Sequence, residues 1–229
     1  MKPIVYVIIP AYNEEKSIGK VILEIPEDLI AGIIVVNNAS TDLTTAVAIQ
    51  AGATVIDEPV PGYGRACLKG IEFCQNQLTE PDVVVFVDGD YSDYPEEMRD
   101  LLRPILEGKA DLVIGSRVLG KRQKGSMTVQ QIFGNWLATN LLRIFFGARF
   151  TDLGPFRAIR FSSLIALDME DKTYGWTVEM QVKAAKLKLR TLEVPVRYRK
   201  RIGVSKISGT LKGTVMAGYK ILFTLFKHL

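Results

Sequence analysis

The sequence predicts an α/β protein with a mostly parallel sheet flanked by helices. Three observations predict it. First, short aliphatic runs recur along the chain, IVYVII at Ile4–Ile9, IIVV at Ile33–Val36 and VVVFV at Val83–Val87. Each is apolar throughout, as strands buried on both faces are. Second, each run ends in a polar or glycine-bearing loop and is followed by residues with helical spacing, the pattern of successive βαβ units. Third, the chain has 229 residues, 48% apolar and 24% charged, which suits a soluble domain with a sizeable core.

Taken in order, the first strand ends at Pro10, and Ala11-Tyr12-Asn13-Glu14-Glu15 loops into a helix over Ser17–Leu23. The second strand closes on Asn37-Asn38-Ala39-Ser40-Thr41-Asp42, followed by a helix over Thr44–Gln50 that Gly52 caps, and by a short strand at Ala53–Ile56. Gly62-Tyr63-Gly64 opens a helix over Arg65–Gln77. After Val83–Val87 and its acidic end, a helix starts at Pro95, runs to Leu106 and stops at Gly108. Leu112–Ile114 is a strand leading into Gly115-Ser116-Arg117, and Lys121–Met127 reads as a basic, mobile linker. Val129–Phe146 is a long apolar helix; Phe156–Ile159 and Leu192–Val196 are strands with a helix over Val178–Leu187 between them. The chain is expected to divide into a domain over residues 1–210 and an appended amphipathic helix over 211–229, with Lys212, Lys220 and Lys227 on one side.

The net charge is +4 and unevenly spread: from Val194 onward there are eight Lys/Arg and no acid, leaving 21 basic against 25 acidic residues before it. A basic tail on an acidic body points to phosphate or an anionic membrane surface. Three lysines and two glycines weigh against the last helix spanning a bilayer; lying in the interface and packing on the domain both remain open. Cys67 and Cys74 sit in one predicted helix and read as core residues, and with His228 the only histidine a zinc site is excluded. No signal peptide opens the chain, so a cytoplasmic location is expected, with peripheral contact at the inner face of the membrane. No nucleic-acid partner is expected, and oligomerisation is left open.

The chemistry centres on Asp88-Gly89-Asp90, at the carboxyl end of the most apolar strand. Two carboxylates there are costly unless paired, and a hard cation, Mg²⁺ or Mn²⁺, offsets that cost together with substrate phosphate oxygens. The alternative is an acidic turn in which Asp93 caps the helix from Pro95. In a parallel sheet the loops Pro10–Glu15, Asn37–Asp42, Gly62–Arg65 and Asp88–Asp93 share one edge. Asn and Asp side chains suit a base and ribose there, and Tyr12 suits stacking. The G-x-G at Gly62–Gly64 lacks the third glycine of a dinucleotide fingerprint (Cys67 stands there), and no phosphate-binding P-loop motif occurs. Oxidoreductase and P-loop NTPase are thereby excluded.

VIIPAYNEE (Val7–Glu15), VVNNASTD (Val35–Asp42), FVDGD (Phe86–Asp90), GSR (Gly115–Arg117), TDLGPFRAI (Thr151–Ile159), YGWTVEMQ (Tyr174–Gln181) and EVPVRYRKRIGVSKISGT (Glu193–Thr210) together resemble glycosyltransferase family 2. These are inverting GT-A-fold enzymes, and the likeness leans toward dolichyl- and polyprenyl-phosphate glycosyltransferases. The resemblance implies a GT-A catalytic domain, a UDP- or GDP-linked sugar donor, a divalent cation on Asp88 and Asp90, and a polyprenyl-phosphate acceptor. It also implies donor contacts from Pro10, Ala11, Tyr12, Glu14, Asn37, Asn38, Asp42, Gly64 and Gly89, and a basic closing loop carrying Arg199, Arg201, Ser205 and Lys206. Asn37-Asn38 departs from the family, which usually has at least one Asp there, so the choice of base stays open.

Arg117 suits a phosphate, or else a salt bridge. For a hydroxyl acceptor Asp152 and Glu179 are the candidate bases; a lipid phosphate is already ionised and needs none, which leaves Asp152 to orient the acceptor or sugar. Either acid is otherwise structural. Rival readings are a catalytically silent nucleotide-sugar sensor, suggested by Asn37-Asn38, and a nucleotidyltransferase, disfavoured because Pro10–Glu15 lacks a Gly-rich basic loop.

Overall fold

The computed structural model describes residues 2–203 and 211–229, the side chains of 211–215 and 217 excepted. Seven strands form one sheet: β1 (Val5–Ala11), β2 (Gly32–Asn37), β3 (Thr54–Asp57), β4 (Val83–Phe86), β5 (Leu112–Ser116), β6 (Arg157–Arg160) and β7 (Thr191–Pro195). Their order is β3-β2-β1-β4-β6-β5-β7. All pairings are parallel except those of β6, which runs antiparallel to both β4 and β5. The helices are α1 (Ile18–Leu23), α2 (Thr44–Gln50), α3 (Tyr63–Gln75), α4 (Met98–Leu106), α5 (Val129–Phe146), α6 (Phe161–Leu167), α7 (Trp176–Lys186) and α8 (Leu211–Lys227).

The sheet is buried on both faces because its strands alternate between two apolar layers. Ile8, Ile34, Val84 and Phe86 pack on one side with α3, α5, α7 and Leu225 of α8; Val7, Ile9, Val35 and Val85 pack on the other with α1, α2 and α4. Each such fully buried aliphatic side chain stabilises the fold by roughly 1.5–3 kcal/mol. The strand order reverses at β1: β2 and β3 continue to one side of it, and β4 lies on the other. Open α/β sheets bind their ligands in the crevice at such a switch point.

The expected end of the first strand at Pro10 is corrected: β1 runs through Pro10, which pairs in register with Val36. Proline is tolerated because alternation aims its nitrogen at the β4 side, where pairing already ends at Phe86. The expected mobile linker is also corrected. Arg122 bridges to Tyr198, and Gln123 N donates to the Tyr198 carbonyl at 2.8 Å, so this stretch lies bound along 198–200.

The last helix packs against α5 and α7. Lys220 pairs with Asp171 at 3.0 Å and Lys227 with Glu170 at 2.7 Å, so these lysines are engaged by the protein's own acids, contrary to a basic face held out for anionic lipid. The outward side instead carries Met216, Tyr219, Phe223 and Phe226. Among the described residues no helix is long and apolar enough to cross a membrane.

α5 starts sharply because Thr128 and Gln131 form a capping box, with the Gln131 N–H donating to Thr128 Oγ1 at 3.2 Å and the Thr128 N–H to Gln131 Oε1 at 2.8 Å. Thr128→Ala should destabilise the protein by about 1 kcal/mol. Thermal unfolding should register this as a fall in Tm of about 2–4 °C.

Candidate functional site

The loops after β1 and β4 meet over the switch point and enclose a cavity of ≈ 280 Å³. Pro10, Ala11, Tyr12 and Glu14 line it from one loop and Asp88, Gly89 and Asp90 from the other; Asn38, Gly62, Tyr63, Tyr174 and Arg201 close it. A second cavity of similar volume is lined by Arg117, Met127, Asn135, Leu153, Pro155, Tyr198 and Ile221 among others. The two share Tyr63, Asp88, Asp90, Tyr174 and Arg201. The acidic pair therefore stands where two binding spaces join.

The pair is strongly charged for its surroundings. Asp88 accepts a hydrogen bond from the Tyr63 hydroxyl at 3.1 Å. Burial, followed by the negative charge of Asp90, pushes its carboxyl up to about 7. Asp90 is 4% exposed; its Oδ1 accepts from the Ser92 backbone N at 2.8 Å and the Ser92 hydroxyl at 2.5 Å. Its Oδ2 lies 3.0 Å from Arg201 Nη2, and the same guanidinium nitrogen is 3.5 Å from Glu14 Oε1. Among the described residues Arg201 is thus the cation paired with the acidic pair.

That arginine is delivered by a second one. Arg199 lies over the rings of Tyr91, 3.3 Å away, and Tyr94, 4.2 Å away, and donates to the Tyr91 carbonyl at 2.7 Å and to Glu24 at 2.6 Å. Backbone bonds from Arg199 N to the Ser92 carbonyl and from Ile202 N to the Asp90 carbonyl, both 2.9 Å, clamp the 199–202 segment onto the acidic loop.

Asp93 does not cap a helix. Tyr94 occupies the N-cap position of the single 3-10 turn at Pro95–Glu97, and neither Asp93 carboxyl oxygen has a hydrogen-bond partner among the described residues. Burial and the charges of Asp88 and Asp90 push its carboxyl well above the usual range.

Several of the expected residues do other work. Asn38 lines the cavity, but its Nδ2 donates to the carbonyls of Glu58 at 3.0 Å and Val60 at 2.8 Å, while its Oδ1 accepts from Gly62 N at 2.7 Å. An aspartate could not donate those two bonds, which gives the unusual amide a physical reason. Asn37 turns away to donate to Asp57 at 2.8 Å. Asp42 sits one residue before Leu43, the N-cap of α2, where it accepts from Thr44 N at 3.0 Å and also holds Glu15 N at 3.1 Å. Gly64 faces the 171–173 loop rather than the cavity, and a Cβ on it would run into the Asp171 carbonyl oxygen. Lys206, with Ser205, lies outside the described residues.

The two candidate bases are both committed. Asp152 is fully buried, with Oδ2 accepting from the backbone N and Nε of Arg117 at 2.7 and 2.8 Å, and Oδ1 from its Nη2 at 2.6 Å. Arg117 stacks on Tyr198, 5.1 Å from the ring centroid, and reaches the second cavity. Glu179 is not brought to either of these cavities. It accepts from the backbone N of Asp171 at 2.8 Å and pairs with Lys183 at 3.0 Å, so it holds the 170–171 turn against α7. Tyr63 and Tyr174, which the sequence reading did not single out, stand at the join of the two cavities. Isolated tyrosines carry no periodic signal; only their neighbouring glycines hinted at a loop near the site.

The comparisons with known proteins agree with this geometry. Residues 6–167 match the model of glycosyl transferase family 2. The chain belongs to glycosyltransferase family 2. This glycosyltransferase is 35% identical over 216 residues to an uncharacterized glycosyltransferase of Mycobacterium bovis, covering 93% of this chain and 94% of the relative. It is 34% identical over 225 residues to the undecaprenyl-phosphate mannosyltransferase of Micrococcus luteus, covering 91% of this chain and 89% of that one. In fold it is similar to glucosyl-3-phosphoglycerate synthase of Mycobacterium tuberculosis, crystallised with Mn²⁺, UDP and phosphoglyceric acid, with a TM-score of 0.77 at 23% identity over 99% of this chain and 78% of that one. The architecture is therefore the GT-A fold.

Because Asp152 is buried and its only ionic partner among the described residues is Arg117, Arg117→Met should leave an unpaired buried charge and destabilise the enzyme by about 3–5 kcal/mol. Urea unfolding measures the loss.

Proposed function

We propose that this enzyme is an inverting, metal-dependent hexosyltransferase that moves a hexose from a nucleotide-sugar to a polyprenyl phosphate. The observation that carries the reading is the meeting of two cavities at Asp88 and Asp90. The first has the polar, Tyr12-edged lining that suits a nucleoside, and the second combines the Arg117 guanidinium with apolar walls at Met127, Leu153, Pro155 and Ile221. The named activity of the Micrococcus relative and the UDP in the mycobacterial structure support the same pairing of donor and acceptor.

The donor set fits a hard divalent cation. Asp88 and Asp90 are oxygen ligands, and the raised Asp88 carboxyl is that of a group short of positive charge. Among the described residues no three His, Cys, Asp or Glu form a metal cage, and Mg²⁺ commonly takes only one or two carboxylates beside substrate phosphates. Held by Asp88 and Asp90, Mg²⁺ or Mn²⁺ would supply neutralisation of charge on the departing diphosphate.

The chain's own residues do the rest. Tyr12, 43% exposed at the cavity edge, offers a ring for the base. Arg201 stands beside Asp90, placed to answer the negative charge that grows as the sugar's anomeric carbon leaves the diphosphate. In a single displacement the acceptor oxygen attacks from the opposite side, which inverts the anomeric centre. A phosphate acceptor is ionised at neutral pH and gives up no proton. The commitment of Asp152 to Arg117, and the distance of Glu179 from the site, support an acceptor that needs no base. Asp152 is then a positioning residue that fixes the Arg117 fork at the acceptor cavity.

The outer surface supports a lipid substrate and peripheral membrane contact. Phe133 and Trp136 of α5 are 59% and 57% exposed, and Tyr219 and Phe226 of α8 are 61% and 54% exposed. Phe145 and Phe226 join the two helices edge to face at 5.8 Å. Exposed aromatic side chains gathered on neighbouring helices mark an interaction face.

Asp90→Ala should lower kcat for sugar transfer to undecaprenyl phosphate by roughly 10²–10³-fold while leaving the fold intact by circular dichroism. Turnover near that of the unaltered enzyme would remove the acidic pair from the chemistry. Transfer to phosphoglyceric acid but to no prenyl phosphate would reassign the acceptor to a water-soluble phosphate.

A further inference from the structure

The second cavity is walled in part by backbone without side chains. Two of its lining residues are glycines on different helices, Gly134 in the second turn of α5 and Gly218 in α8. At each, a Cβ would meet no described atom within 4 Å. Their role therefore differs from that of Gly64, Gly115 and Gly120, where an added Cβ would collide with a neighbouring segment. Glycine inside a helix is less favourable than alanine, and at these two positions no described neighbour packs closely enough to require it. Among the described residues, the absence of side chains leaves open space beside α5 and α8, which pack against each other.

That space continues two surfaces already described. Inward it reaches Leu153, Pro155 and Ile221, and then Arg117 and the acidic pair. Outward it borders residues whose neighbours in sequence, Phe133 beside Gly134 and Tyr219 beside Gly218, are exposed aromatics. A ligand using it would carry an anionic head at the arginines and a slender apolar chain between the helices. We infer that Gly134 and Gly218 form a slot through which the isoprenoid chain of the acceptor leaves the site, and that their lack of side chains sets the enzyme's selectivity for long-chain prenyl phosphates. This inference rests on the prenyl-phosphate reading above and adds to it the residues that read the chain.

The test compares undecaprenyl phosphate with dimethylallyl phosphate, which carries a single isoprene unit. Gly134→Leu and Gly218→Leu are assayed with both acceptors, alongside Gly134→Ala and Gly218→Ala. Leucine favours helix over glycine, so both variants should fold, which thermal unfolding checks. The expected result is a fall in kcat/KM for undecaprenyl phosphate of roughly tenfold or more, little change for dimethylallyl phosphate, and a smaller loss in the alanine variants. Equal losses on both acceptors would mean that the substitutions disturb the site generally, and no loss on either would mean that the chain leaves elsewhere; each overturns the slot. If the unaltered enzyme uses neither acceptor, the prenyl-phosphate reading itself fails and the slot falls with it. Should a leucine variant not fold, the graded alanine variants decide the question by the same ratio.

Discussion

The structure depends on a concentration of negative charge at one place. β4 is buried along its whole length and ends in Asp88 and Asp90, with Asp93 enclosed just behind them. Such a cluster is unfavourable unless protonated or faced by positive charge. Among the described residues Arg201 supplies that charge, and much of the nearby structure serves to hold it in place. The clamp of Arg199 on Tyr91, Tyr94 and Glu24, and the backbone bonds from 199 and 202 to the acidic loop, are the means. Between the ordinary carboxylate value and about 7, the folded protein keeps a proton on Asp88 that the unfolded chain has lost. Stability therefore declines as pH rises through that window, and any cation bound there must expel the proton.

The fold places this charge where two substrates can reach it. The reversal of strand order at β1 opens a crevice between β1 and β4, and the loops at their carboxyl ends form its two walls. The antiparallel β6 follows the Thr151–Phe156 loop, and that loop carries Asp152 to Arg117 and Leu153 to the second cavity. One sheet thus supplies a polar pocket and an apolar-walled one to a single acidic pair. Membership in glycosyltransferase family 2 gives that arrangement its chemistry.

Much of this was legible in the residues. β1, β2 and β4 are centred on near-continuous apolar runs, as strands buried on both faces are. The direction of β6 was not legible, because an apolar pattern records burial and not orientation. The short helix Phe161–Leu167 was also missed: it has no side-chain cap and too few residues to establish a period. At the candidate site, the Pro10–Glu15 loop and Asp88 with Asp90 follow from strands whose ends the sequence marks, while Pro10 and Glu14 were singled out within their loop only by the family resemblance. Asn37, Asp42 and Gly64 share those loops but turn elsewhere, since short polar side chains bond nearby groups readily and glycine as often serves packing as ligand approach. Glu179 was placed by motif, yet its helix faces the 170–171 turn. The inward pairing of Lys220 and Lys227 depended on acids some fifty residues away in sequence, which helical spacing alone does not reveal.

The central proposal is that Asp88 and Asp90 would hold a divalent cation brought in with the nucleotide, whose charge would balance theirs. Calorimetric titration of the enzyme with Mn²⁺ and UDP, at about pH 6 in two buffers of different ionisation enthalpy, measures it directly through the protons exchanged on binding. The account predicts proton release in excess of that from Mn²⁺ and UDP mixed without enzyme, an excess that fades at about pH 8 and disappears in Asp88→Asn. Binding with no such excess, and of equal affinity in Asp88→Asn, would contradict it.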